Sequence, residues 1–282
     1  MPASPPAALE RLLDLLRCPV CHAPLHADLG SLRCPAGHTF NLARQGYVSL
    51  LTGGRATSGD DATMVRARMR FLATGRYAPV QQALTHAAAE ALPAGGTVVD
   101  VGCGTGHYLA AVLDHLPNAR GLGLDTSVRA LRAAARCHPR AAAASCDVFR
   151  PLPLVDRGVD VILNVFAPRN PSEFHRVLRP TGRLLVARPT VQHLAELRAR
   201  VPGMVTVDPA KEQRLHQALT PHFHPVATRE VTYTTPLTRQ EALDLVGMTP
   251  SARHLSPADL DGHDALPDTV TVAVLVTSYR PR

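Results

Sequence analysis

Four residues near the start of the chain have the types and spacing to hold a metal ion: Cys18-x2-Cys21-x12-Cys34-x3-His38. Two short loops each supply a pair of donors. Three thiolates and one imidazole can close a tetrahedron around zinc, a borderline-soft ion that accepts sulfur and nitrogen. Pro19 and Pro35 stiffen each loop behind its first cysteine, and Gly37 permits a tight turn before His38. With every position filled by protein, one structural Zn2+ is expected, and a module this small takes its folding energy from the metal. Cys18-Pro19-Val20-Cys21-His22 also spells the CxxCH haem-attachment string. Haem is rejected, because its attachment normally requires export and Cys34 and His38 would be left unexplained. His22 is then a bystander.

A second constellation is Val98-Val99-Asp100-Val101-Gly102-Cys103-Gly104-Thr105-Gly106, where a buried strand turns into a helix. Glycines at alternate positions let the backbone approach a ligand with no Cβ in the way. A dinucleotide loop would read GxGxxG. The order GxGxG after an acidic strand end suits a cofactor with an amino-acid tail and an adenosine but no phosphates. The next strand ends in Gly121-Leu122-Gly123-Leu124-Asp125, and a carboxylate there can accept from both ribose hydroxyls. The competing reading is that Asp100 and Asp125 only cap helices. Together the features resemble the class I S-adenosylmethionine-dependent methyltransferases. That resemblance implies an α/β, Rossmann-like, mainly parallel seven-stranded sheet, with Asp147 of Ser145-Cys146-Asp147 near the adenine. A solvated loop carboxylate is the alternative for Asp147.

The elements that must position these groups are legible along the chain. A short amphipathic helix is expected over 5–17, and a short strand over Gly46–Leu51. Helices follow at 61–73 and 77–92. Strands are expected at Thr97–Val101, Arg120–Leu124, Val159–Val165, Gly182–Ala187, Ala227–Thr235 and Thr269–Tyr279, with helical patterns between them. Such alternation calls for a mainly parallel sheet covered on both faces. The small, polar stretch 52–60 reads as a mobile linker. We therefore divide the chain into a zinc-binding RNA-recognition module (1–51), a linker and helix (52–76) and a methyltransferase domain (77–282).

Composition sets outer limits. The 282 residues, 45% hydrophobic and 19% charged, describe an ordinary globular protein. No apolar run is long enough for a membrane span, and the N-terminus lacks the pattern of a secretory signal, so a cytoplasmic, reducing location is expected. There the 6 Cys serve metal or core rather than disulfides. A net charge of +7 is compatible with nucleic acid. The absence of Trp and only 4% aromatics argue against a surface built mainly on base stacking.

The zinc knuckle joined to this core, together with further stretches, narrows the resemblance. Those stretches are Phe40-Asn41-Leu42-Ala43-Arg44-Gln45-Gly46-Tyr47-Val48-Ser49-Leu50-Leu51, Met64-Val65-Arg66-Ala67-Arg68 through Phe71-Leu72 to Arg76-Tyr77, Phe166-Ala167-Pro168, Glu173-Phe174-His175-Arg176-Val177-Leu178 and His193-Leu194-Ala195-Glu196-Leu197. Nearly the whole chain is similar to the bacterial 23S rRNA guanine-N1 methyltransferases, nearest to their tylosin-resistance branch. The resemblance implies zinc on Cys18, Cys21, Cys34 and His38. It also implies S-adenosyl-L-methionine contacts from Tyr77, Gly106, His107 and His193 beside Asp100, Gly102, Gly104, Asp125 and Asp147. Two positions depart from the family pattern: His22 stands where glycine is more usual, and His107 where an aromatic can occur. The implied reaction is methyl transfer to N-1 of a guanine in a domain II hairpin loop of 23S rRNA, blocking macrolides. A splayed loop base is cheaper to reach than a paired one.

No general base is legible. Asn164, at the end of the fourth strand, is the candidate for orienting the purine edge, and strand termination is its rival reading. Asp60 and Asp61 read best as solvated linker charges. Arg44, Arg55, Arg66, Arg68, Arg70 and Arg76 cluster around the knuckle and linker, where they can form an electropositive rim for RNA or simply a solvated helix face. A homodimer would widen a cleft for the hairpin. Two other functions compete: a small-molecule methyltransferase of the same fold, and a zinc RNA-binding protein with a vestigial cofactor site, against which the intact loop and Asp125 argue.

Overall fold

The computed structural model describes residues 5–53, 59–201, 203–205, 210–255 and 266–282, except the side chains of 210–212. Most of the expected linker, with Arg55, lies outside them. The N-terminal segment forms only one helical turn, α1 (Ala7–Glu10), and continues in turns. The helix expected over 5–17 is therefore cut short. Leu9, Leu12, Leu15 and Leu16 are nevertheless fully buried, so the apolar pattern reports burial rather than helix length. The knuckle residues carry a small antiparallel sheet, β1 (His26–Asp28), β2 (Ser31–Arg33) and β3 (Thr39–Asn41), followed by β4 (Val48–Ser49).

Helix α2 (Ala62–Ala73) starts at Asp61, whose Oδ1 accepts from the Thr63 and Met64 N–H groups at 2.7 and 2.9 Å. Asp61 is thus an N-cap. Helix α3 (Ala78–Ala91) leads into the main sheet: β5 (Thr97–Val101), α4 (His107–His115), β6 (Arg120–Asp125), α5 (Val128–Ala134), β7 (Ala141–Ser145), β8 (Val159–Val165), α6 (Pro171–Val177) and β9 (Leu178–Pro189). The chain closes with α7 (Ala195–Arg200), α8 (Ala210–Leu219), β10 (Phe223–Pro236), α9 (Arg239–Gly247) and β11 (Thr269–Pro281). The strand order is β10-β11-β9-β8-β5-β6-β7-β4, and β11 runs antiparallel to both neighbours. Strand order reverses between β5 and β8, so the C-terminal ends of those strands open the crevice where such sheets bind ligands.

The sheet has eight strands rather than the seven expected. The added one is β4, which pairs parallel with β7 through Val48 and Ala144 and through Ser49 and Ser145. Ser145 Oγ fastens the joint by accepting from the Leu50 and Leu51 N–H groups, each at 3.0 Å. Further contacts tie the same region down. The Arg17 N–H donates to the Pro153 carbonyl and the Val155 N–H to the Leu15 carbonyl. Arg120 grips the Asp14 carboxylate with two bonds of 2.8 and 2.7 Å. One apolar cluster runs from Leu12, Leu16, Leu32 and Phe40 into Val99, Leu122, Leu124 and Ile162. Residue 51 therefore does not bound an independent core. The knuckle covers one face of the sheet, while α3, α4 and α9 cover the other.

Ser145 tests this joint. Ser145→Ala keeps the volume but leaves the Leu50 and Leu51 N–H groups without an acceptor, so it should cost about 1–3 kcal/mol of unfolding free energy. Denaturant titration reads the loss. An unchanged midpoint would show that β4 is not held to the sheet in solution.

Candidate active site and metal centre

The four metal-ligating candidates converge. Their donor atoms all lie within 4.8 Å of one another. A tetrahedral zinc with Zn–S near 2.3 Å sets its thiolates about 3.8 Å apart. Cys21 Sγ and Cys34 Sγ are 3.7 Å apart, and His38 Nδ1 lies 3.3 Å from Cys34 Sγ and 3.6 Å from Cys18 Sγ. The residues present therefore fit one structural zinc. Each loop closes on a residue in the left-handed region, Gly37 (φ 87°) in one and His22 (φ 58°) in the other. In the first loop the His22 N–H donates to the Cys18 carbonyl at 2.8 Å, and in the second the Gly37 N–H donates to the Cys34 carbonyl at 2.9 Å. This is the conformational reason glycine suits the His22 position.

At the other site, Gly102, Gly104 and Gly106 all have positive φ (81°, 54° and 81°). A Cβ on Gly102 would sit 2.4 Å from the Ala167 Cβ, and one on Gly106 2.7 Å from Cys137 Sγ. On Gly104 it would meet nothing closer than Arg68 Cδ at 3.5 Å. Two of the glycines thus serve close packing, and Gly104 serves backbone conformation and access. Asp125 holds the loop: Oδ2 accepts from the Gly104 N–H and Oδ1 from the Ser127 N–H, both at 2.8 Å. It ties the loop to the residue that starts α5, Ser127, whose own Oγ caps the helix, and each Asp125 oxygen keeps a lone pair for a ribose hydroxyl.

Asp100 is 1% exposed and neither of its oxygens has a hydrogen-bond partner. Burial, then the nearby Asp125 charge, pushes its carboxyl up to about 8. It donates to or accepts from no backbone group, so helix capping does not explain it. A buried carboxyl in this state is stabilised by a cationic or hydrogen-bonding ligand. The residues therefore fit S-adenosylmethionine, whose amino-acid tail carries an ammonium.

Tyr77 and His193 come together although 116 residues separate them. His193 Nδ1 accepts from the Ala273 N–H at 3.2 Å, so its proton sits on Nε2 and is donated to Tyr77 Oη at 3.2 Å. Burial, then the Arg198 charge, lowers the imidazole to about 4 and keeps it neutral. Phe166, which sequence reasoning did not place in the site, completes a ring cluster. It stacks on His193 with centroids 5.8 Å apart and planes 20° apart, in a left-handed backbone conformation (φ 53°), and it is 36% exposed. An aromatic directly beyond the C-terminal end of a parallel strand was the available signal.

The other expected residues are placed as follows. His107 starts α4 partly buried, and burial lowers its basicity. Asp147 lies half-buried beyond β7, its Oδ1 accepting from the Phe149 N–H at 3.0 Å. Asn164 is fully buried, and its Nδ2 donates to the Val101 and Pro168 carbonyls at 3.2 and 2.9 Å. It brackets two strand ends, and its donors are not free to orient a purine. Asp60 forms an ion pair with Arg68 at 2.8 Å. Arg70 pairs with Asp244 at 2.5 Å and Arg76 with Glu241 at 3.2 Å. Those three arginines therefore carry carboxylate partners within the fold, while Arg44, Arg66 and also Arg70 are exposed. A separate cavity of about 530 Å³ lies at the opposite end of the strands, near Gly96 and Thr97. Three of its four arginines are engaged internally, Arg120 by Asp14, Arg140 by the Leu116 and Ala119 carbonyls and Arg179 by Asp160.

A parallel sheet with this order, a three-glycine loop beyond β5 and a carboxylate ending β6 define a class I S-adenosylmethionine-dependent methyltransferase, here carrying a zinc ribbon. Comparison with known proteins agrees. Residues 16–53 match the RlmA N-terminal zinc-ribbon family, and residues 98–185 match a methyltransferase domain family. A Micromonospora griseorubida protein named for the 23S rRNA (guanine-N(1)-)-methyltransferases is 53% identical, covering 96% of this chain and 98% of the relative. The 23S rRNA (guanine(748)-N(1))-methyltransferase of Streptomyces fradiae is 46% identical over 96% and 99%. YxjB of Bacillus subtilis strain 168, named for the same family, is 34% identical over 86% and 89%. The chain belongs to the 23S rRNA (guanine-N1)-methyltransferase family. Among the described residues no helix is long and apolar enough to cross a membrane.

The metal centre and Asp100 each give a test. Cys34→Ser should drop zinc below one per chain, and because the ribbon shares the sheet's core, melting of the whole chain should shift down rather than split. Full zinc content in the variant would refute the ligand set. For Asp100, the folded-state pKa lies above the ordinary value, so the folded chain keeps a proton that the unfolded chain has released between about pH 4 and about 8. Stability should fall as pH rises across that window. Asp100→Asn should flatten the profile in melting experiments and weaken S-adenosylmethionine binding in calorimetry; an unchanged affinity would remove Asp100 from the cofactor site.

Proposed function

We propose that this chain transfers the methyl group of S-adenosylmethionine to N-1 of a guanine in 23S rRNA, within a hairpin loop of domain II. In this reading the added methyl protects ribosomes against tylosin-type macrolides. The observation that carries it is the ring cluster at the mouth of the cofactor crevice, Tyr77, His193 and Phe166. It stands beside Gly102 through Ala167. A planar base splayed from a loop is the ligand such a surface suits, and the full-length relatives bear the matching name.

Each group then has a task. Asp100 answers the ammonium of the cofactor's tail, and Asp125 the ribose. Gly104 lets the cofactor lie against the backbone while Gly102 and Gly106 keep the loop packed close, the His107 N–H opens α4 beside it, and Asp147 borders the adenine. Tyr77 and His193 close the methionine end. The cofactor supplies a methyl already activated on sulfonium sulfur, so the protein's work is alignment and exclusion of water. Guanine N-1 must lose a proton. His193 has both nitrogens engaged, and burial holds the Tyr77 phenol well above its ordinary value. Neither is poised as a base, so the proton leaves through water at the mouth. Phe166, with one face on His193, offers its other face to the guanine.

Labelled methyl transfer to unmodified 23S rRNA fragments, mapped by reverse-transcription stops, tests the reading. A single stop in the domain II hairpin is expected. Phe166→Ala should lower kcat/KM for RNA about tenfold, since a base stack is worth about 1–3 kcal/mol, and leave cofactor affinity unchanged. Absence of transfer to both fragments and ribosomal particles would shift the assignment to a small-molecule acceptor.

A further inference from the structure

Four residues beyond β8, on the loop whose Ala167 packs against Gly102, the guanidinium of Arg169 is largely buried without a counter-ion among the described residues. Its Nε is shielded from solvent and has no hydrogen-bond partner, and among the described residues no ion pair includes it. The nearest charges make matters worse. Burial, then the neighbouring Arg188 cation, pulls the Arg169 guanidinium down to about 10. No carboxylate of the loop or of α6 is available. Glu173 is held by Arg176 at 2.6 Å and by the Leu152 N–H at 2.7 Å, and Asp156 is held by Arg176 at 2.6 Å. Arg188 itself donates to Thr277 Oγ1 at 3.1 Å, and that hydroxyl lies 3.1 Å from Thr228 Oγ1. Arg169 is therefore a largely buried guanidinium with no anion beside it among the described residues, on the loop beyond the C-terminal end of β8.

A buried guanidinium without an anion or a full set of acceptors costs stability. An anion with oxygens spaced for a fork would reverse the sign, and a phosphodiester is such an anion. We infer that Arg169 binds a backbone phosphate next to the guanine being methylated. The site rests on the RNA reading of the preceding section. It gives that reading a point of attachment on the methyltransferase core itself, distinct from the zinc ribbon and from the arginines of α2. A phosphate held here fixes the nucleotide on the acceptor loop while Phe166 receives its base.

Arg169→Met on the full chain separates a ligand site from a structural arginine. Met fills the space with an apolar side chain, so melting temperature should stay level or rise, whereas a structural arginine would melt lower when removed. Binding of the 23S hairpin RNA should weaken about tenfold or more, and the slope of log affinity against log salt should shrink by about 0.7–0.9, the loss of one phosphate contact. S-adenosylmethionine affinity should not move. Arg169→Lys, which keeps charge but not the fork, should fall between wild type and Met in RNA affinity. Unchanged RNA affinity and salt slope in Arg169→Met, with wild type still methylating the hairpin, would overturn the phosphate site and leave the activity standing. Wild type that neither binds nor methylates the RNA would overturn both.

Discussion

A parallel sheet must be covered on both faces, because its strands carry apolar side chains on each side. Every residue of β5 and β7 is buried, and β8 is nearly so. One face is met conventionally by α3, α4 and α9. Much of the other is met by the zinc ribbon, whose Leu32, Cys34 and Phe40 sit in the same apolar cluster as Val99 and Leu122. Three strands of three residues each could not hold such a surface alone. The metal supplies what the ribbon's own core lacks, by tying Cys18 and Cys21 to Cys34 and His38. The chemistry of four side chains thus underwrites the packing of a sheet whose catalytic end lies elsewhere.

That dependence also fixes orientation. With β4 hydrogen-bonded to β7 and Arg120 clamped on Asp14, the ribbon is continuous with the sheet. Any surface it presents to RNA is held at a set distance from the cofactor loop. Helix α2 is fixed in the same way from the other side, through Arg70 on the buried Asp244 and Arg76 on Glu241, both pairs bidentate. Arg68 reaches Asp60 and the Met248 carbonyl while standing beside Gly104. The segment before α2 is drawn against the cofactor crevice as well, since Ser127 Oγ donates to the Asp60 carbonyl at 2.6 Å. Cations that composition alone assigns to nucleic acid are here spent on assembling the crevice.

What was legible in the sequence was whatever depends on short spacing. The zinc ligands come as two close pairs, and the glycine loop occupies five consecutive positions, so local chemistry announces both. Strands and helices of the core followed from apolar periodicity. Long-range pairing was not legible. Nothing in Val48-Ser49 announces a parallel partner in β7, although the alanine-rich segment ending at Ser145 reads as strand-like and forms the strand Ala141–Ser145, burial outweighing its weak propensity. Asn164 reads from sequence as a polar group at an acceptor site, and only its two backbone carbonyl partners reveal a bracket. The Tyr77 and His193 contact, and the partners of the α2 arginines, depend equally on the closed fold.

Two buried titratable groups without partners stand on either side of the contact between Gly102 and Ala167, one an acid and one a base. Asp100 lies beneath the glycine loop as an unpaired carboxyl, and Arg169 lies beyond the acceptor loop as an unpaired guanidinium. Each would be cheaper to remove than to keep if folding were the only demand, since an apolar residue of similar size avoids the desolvation cost. An acid on the cofactor side favours a cationic tail, and a base on the acceptor side favours an anionic backbone. A reaction that joins a cationic cofactor to a polyanion needs that polarity across its crevice, and the fold keeps it in place before either ligand arrives.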